Sequence, residues 1–191
     1  MNKIQVKFYS KLNADALEYV PIFHRWIRDR ELDELLIDVA DYSHVKHGPD
    51  VVLIGHESDY ALDRAMGRLG LLYAQKRPRH SDAGDPWLTA LERALKAALK
   101  LERETSPTVG LTFRTDEFTL RVADRLLAPN TDATFQRLRP EIERALRVLF
   151  GPAPVALSRS GDERELFSVD VKVPVAPALP ELVARIAQTP S

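Results

Sequence analysis

The chain of 191 residues has no cysteine. That removes disulfides, thiolate nucleophiles and cysteine-ligated zinc or iron–sulfur centres. It also has no excess of charge: 27 Lys and Arg stand against 28 Asp and Glu, leaving a net charge of −1. No overall field draws it to nucleic acid or to an anionic membrane, and its arginines alternate with acidic residues instead of forming a stripe. No apolar run approaches the roughly 20 residues needed to span a bilayer. The opening MNKIQVKFYSKLN has neither the apolar core nor the small-residue cleavage site of a secretory signal. The expectation is a cytoplasmic protein with no nucleic-acid or membrane partner.

Several catalytic signatures are missing too. There is no G-x-G-x-x-G and no Walker loop, since Gly67-Arg68-Leu69-Gly70 is too short and has no lysine. Gly55-His56-Glu57-Ser58 is not a nucleophile elbow.

What remains is the pattern of an α+β protein. Ile4, Val6 and Phe8 alternate with polar neighbours, which predicts a strand over 3–9 with one buried face. Asn13 or Asp15 then caps a helix carrying Val20, Phe23 and Ile27, with Pro21 near its start. Residues 35–45 and 51–56 read as two strands of a hairpin, 60–66 as a short helical turn, and 69–75 as a further strand. The run RPRHSDAGD at 77–85 reads as a linker. Pro86 opens a helix to about residue 104, with Leu88, Leu91, Leu95, Ala98 and Leu99 facing a core. The segment LTFRTDEFTLRV predicts a hairpin turning at Thr115-Asp116, with Phe113 opposite Phe118.

Asn130 or Thr131 starts another helix, ended by Gly151-Pro152. A strand pair over 155–158 and 166–173 follows, then a proline-rich tail with a short amphipathic helix whose Leu179, Leu182, Val183 and Ile186 need a surface to dock on.

The expected architecture is therefore mainly antiparallel sheet with helices packed on one face. Two lobes are expected, 1–105 and 106–191, with a docking tail at 174–191. Asn13-Ala14-Asp15-Ala16 before a helix with Pro21, and Asn130-Thr131-Asp132-Ala133 before a helix with Pro140, suggest two pseudo-repeated halves.

Candidate chemistry gathers in the 38–57 hairpin. Taken as symmetric about Gly48, it sets Val45 opposite Val51 and Ala40 opposite His56. Asp38, Tyr42 and His56 then share a face, with Glu57 beside them, as a ligand-binding set. A carboxylate that holds a histidine fixes its tautomer and raises its basicity. His44, His56 and Glu57 are the candidate metal ligands, with His47 nearby, since imidazole and carboxylate suit a divalent metal. Their spacing matches no established metal motif, and ordinary turn and loop histidines present the same pattern.

No motif demands a cofactor; a divalent metal is the one that this set would take. Two readings follow. One is a non-enzymatic binding or assembly module that forms a homo-oligomer or takes a protein partner or small-molecule ligand. The other is a small metal-dependent or acid–base enzyme centred on the hairpin.

Overall fold

The computed structural model describes residues 3–45, 48–77, 84–104 and 106–188. Among the described residues eight strands form one open antiparallel sheet. In chain order they are β1 (Ile4–Ser10), β2 (Leu36–Asp41), β3 (Pro49–Gly55), β4 (Ser58–Asp63), β5 (Gly70–Gln75), β6 (Phe113–Val122), β7 (Ala156–Ser160) and β8 (Phe167–Lys172). The described helices are α1 (Val20–Asp29), α2 (Pro86–Glu102), α3 (Asp132–Phe150) and α4 (Leu179–Ala187). The α+β expectation holds.

Strand alternation builds the core. Leu53, Tyr60, Tyr73, Val6, Leu120 and Val169 are successive partners across β3, β4, β5, β1, β6 and β8. Val51, Leu62, Leu71, Phe8, Phe118 and Val171 make a parallel row. Both rows are buried and join one apolar cluster with the inward residues of all four helices, including Trp26 and Trp87. The helices therefore lie on one side of the sheet.

Local chemistry sets the helix starts. Asp15 accepts the Leu17 amide at the head of a 3-10 turn (Ala16–Tyr19) that runs into α1, where Pro21 sits in the first turn. Asp85 accepts the Trp87 and Leu88 amides, and Thr131 accepts that of Thr134. Each satisfies amides that the helix itself leaves open. Gly151 ends α3 with a positive φ. Most of the expected linker, residues 78–83, lies outside the described residues, as does His47.

Three expectations change. Residues 60–66 supply a strand, β4, because Tyr60 and Leu62 complete the core rows between β3 and β5; a 3-10 turn follows only at Ala65–Gly67. The expected 111–122 hairpin is a single strand, β6, held between β1 and β8. Thr115-Asp116 lacks the left-handed preference of a two-residue turn. The change of face between Phe113 and Phe118 is absorbed by an irregularity opposite Phe8 and Ser10. The β2–β3 register also differs, with Val51 facing Asp41 and Val52 facing Ala40. The connection is longer than a symmetric turn: Val45 donates to the Tyr42 carbonyl and Gly48 to that of Val45.

The tail helix docks on its own chain. Leu179, Leu182 and Ile186 enter the core against α2 and α3, and Arg185 donates to the Leu149 carbonyl at 2.6 Å, satisfying an acceptor at the end of α3.

From the sheet centre outward, one half reads β1, β5, β4, β3, β2 and the other β6, β8, β7. In each half a central strand leads into a helix, and a meander returns beside that strand. The counterpart of β7–β8 is thus β4–β5, and β2–β3 is an additional pair at the edge. The division at 105 and 106 falls between α2 and β6, and the sheet crosses it through the β1–β6 ladder.

Candidate functional site: the uncovered face of the sheet

The same alternation that buries Ile4, Val6 and Phe8 turns Lys7 and Tyr9 to the opposite face, over which no described helix lies. Across β2, β3, β4, β5, β1, β6, β8 and β7 this face carries Ala40, Val52, Ala61, Leu72, Lys7, Thr119, Asp170 and Ser158 as successive partners. It is small and apolar toward β2 and polar from β1 to β7.

Lys7 is the centre of the polar half. Its side chain, only 1% exposed, passes over β5 to reach Asp63 on β4. Its Nζ donates to Asp63 Oδ2 at 2.8 Å and to the Ala65 carbonyl at 3.2 Å. Gly70 lies in the path, paired with both Tyr9 and Asp63. A Cβ there would stand 3.1 Å from Lys7 Cε and 2.4 Å from the Phe8 carbonyl oxygen. Asp63 Oδ1 also accepts the Ala65 amide at 2.9 Å. Burial pulls the Lys7 ammonium below its ordinary pKa, with Arg121 and Arg68 adding to the shift and Asp63 opposing it.

Beside Lys7, Thr119 Oγ1 donates to Asp170 Oδ1 at 2.9 Å, which leaves it to accept from the Tyr9 hydroxyl at 2.7 Å. The Arg68 guanidinium lies 3.7 Å from the centre of the Tyr9 ring and holds Glu117 through two bonds of 3.1 Å. Arg114 pairs with Asp116 at 2.8 Å and Glu117 at 3.2 Å. Hydrogen bonds from Arg68 hold the Glu117 carboxyl below the usual range, and those from Arg114 do the same for Asp116. Lys7, Arg68 and Arg114 are thus each held by a carboxylate, giving a fixed polar surface.

Of the residues expected from the sequence, Asp38 lies on this face at its β2 edge, and the others lie in the loop and the turn at the two ends of β3. Asp38 is exposed on β2, facing Ile54, and its carboxylate accepts the Val39 amide at 2.8 Å. Tyr42 and His44 are exposed after β2, near the start of β3. His56 and Glu57 form the two-residue turn between β3 and β4. The seven residues of β3 separate that turn from His44, about 20 Å at the rise of a strand. The His56 amide donates to the Leu35 carbonyl at 2.8 Å. Among the described residues, no three His, Asp or Glu come together in a group that could hold a metal ion.

A residue the sequence did not single out organises that turn. Glu34 accepts the Ser58 amide at 3.0 Å, the Glu57 amide at 3.3 Å and the Tyr60 hydroxyl at 2.7 Å. A Cβ on Gly55 would fall 2.5 Å from the Ser58 carbonyl oxygen and 2.6 Å from Glu34 Oε2, so the turn depends on glycine. Burial, reinforced by Glu34, pushes the Tyr60 hydroxyl far above its ordinary pKa. The described histidines His24, His44 and His56 are all exposed and none belongs to the uncovered face.

No protein-family model matches the chain, and no curated protein matches it. Among the described residues no helix is long and apolar enough to cross a membrane.

Proposed function

We propose that the protein is a non-enzymatic binding module that seats a partner against the uncovered face of its sheet. One observation carries this reading: an eight-stranded sheet keeps all its described helices on one side. The other side carries an apolar half, with Leu72 and Ala74 half-buried, beside a polar half in which Lys7, Arg68 and Arg114 pair with Asp63, Glu117 and Asp116. Such a surface is broad, pre-formed and amphiphilic, as a protein-docking surface is. Matched pairs favour binding over proton transfer, because the amine of Lys7 is engaged by Asp63 and shielded from solvent.

The test is nuclear magnetic resonance of the isotope-labelled protein against a panel of amphipathic peptides and small polar ligands. Shifts are expected to gather on Tyr9, Leu72, Ala74 and Arg121, and Ala74→Arg is expected to weaken them at least tenfold. Shifts confined to the helical side, or turnover of any added ligand by the purified protein, would overturn the reading.

A further inference from the structure

The two edges of the open sheet are β2 and β7, and β2 is chemically distinctive. Leu35 is 65% and Ile37 54% exposed, and Tyr42 and Val45 beyond the strand are exposed as well. Residues 31–45 include five acidic residues and no lysine or arginine. Glu31 is paired with Lys100 at 2.5 Å and Glu34 holds the β3–β4 turn, so the edge's own charge is carried by Asp38 and Asp41, both exposed within β2.

The backbone of this edge is only partly satisfied. The Tyr42 amide donates inward to the Asp50 carbonyl at 2.8 Å, so by the alternation of an antiparallel ladder the Val39 and Asp41 amides point outward. The Val39 amide is held by the carboxylate of its own neighbour, Asp38. A bulge between Leu36 and Asp38 further interrupts the edge. Both devices resist indiscriminate pairing, and the Asp38 contact is one that an incoming carbonyl can replace.

We infer that β2 is a strand-addition edge for an extended segment of another protein in which basic and apolar residues alternate. The incoming strand sets its apolar side chains by Ile37 and Val39 and its basic ones by Asp38, and its backbone takes the outward groups of β2. As the Val39 amide passes to the new strand, Asp38 is freed to pair with the arriving cation. A second copy of this chain fits poorly. Antiparallel pairing of β2 with itself brings aspartates together and no cation to meet them, and like charges on paired strands are destabilising. This edge adjoins the uncovered face, on which Asp38 sits beside Ala40, but strand addition uses the β2 backbone and not the polar half around Lys7, so either assignment can fail without the other.

The probe is a fluorescent seven-residue peptide alternating Lys and Val, with a Glu–Val peptide as control, titrated into the full chain by anisotropy. The Lys–Val peptide is expected to bind saturably and the Glu–Val peptide not at all. Asp38→Lys should weaken binding at least tenfold. Val39→Pro, which removes an outward amide without touching the β3 ladder, should do the same with charge unchanged. Ala74→Arg, on the uncovered face, should leave it intact. Absence of Lys–Val binding, or equal binding by Asp38→Lys and Val39→Pro, would overturn the inference. So would a dimer of the free protein that Val39→Pro dissociates, because the occupant of the edge would then be a second copy.

Discussion

Lys7 on β1 and Asp63 on β4 form a buried ion pair at 2.8 Å across an intervening strand. Two charges removed from water are each costly and become tolerable only together. Lys7→Met strands the Asp63 carboxylate and is expected to cost about 3–5 kcal/mol in urea unfolding. The double variant Lys7→Met/Asp63→Leu is expected to recover most of that loss, and a double variant no better than the single one would contradict the pairing. The pH dependence has a definite sign. Burial lowers the Lys7 pKa from 10.5, so between the folded value and 10.5 the unfolded chain binds more protons and stability rises with pH. Lys7→Met should flatten that rise.

Gly70 gives this pair its passage. With a Cβ at position 70 only 2.4 Å from the Phe8 carbonyl, Gly70→Ala must push β5 away from β1. A loss of about 1–3 kcal/mol is expected, the usual range for overpacking. Gly84→Ala is the control, since nothing lies within 4 Å of a Cβ there. Equal stability of the two variants would remove the close-approach argument.

Arg68 and Glu117 make a second pH-sensitive element. The hydrogen bonds from Arg68 lower the Glu117 pKa from 4.5. Their stabilisation is complete above pH 4.5 and is lost as the pH falls through the folded value. Arg68→Ala is expected to return the Glu117 carboxyl toward its ordinary range in a carbon-detected titration. Because both side chains are partly exposed, the stability change should stay within about 1 kcal/mol.

The tail belongs to the fold. Leu182 is fully buried among α2, α3 and α4, and Leu182→Ala is expected to cost about 2–5 kcal/mol by thermal or urea unfolding. Removing the chain after Val173 uncovers the core and should give an unfolded or aggregated protein. A truncated chain with unchanged stability would contradict this.

Much of the fold was legible because alternation and capping are local. The pattern of Ile4, Val6 and Phe8, the caps at Asp15 and Thr131 and the helix start at Pro86 each specify an element from a few adjacent residues. The elements that differ from local expectation are those whose tertiary partners decide the outcome. Tyr60 and Leu62 are strand residues because β3 and β5 flank them, and Thr115-Asp116 passes straight on because β1 and β8 hold both sides. The uncovered face was half visible, since alternation already set Lys7 and Tyr9 opposite the core residues. Their partners Asp63, Thr119 and Asp170 come from strands distant in sequence, and no local pattern announces them. The histidines drew attention by residue type, yet His56 and Glu57 serve as a tight turn whose organiser, Glu34, lies in an unremarkable acidic run.

The most direct measurement uses the absence of cysteine, which makes any introduced thiol unique. Ala74→Cys on the uncovered face, Ala94→Cys in the core and Ala187→Cys at an exposed position of α4 are labelled with a maleimide in the native protein. Ala74→Cys is expected to react at a rate close to that of Ala187→Cys, with Ala94→Cys slower by orders of magnitude. If Ala74→Cys is as protected as Ala94→Cys, the face is already covered and is not available to a partner.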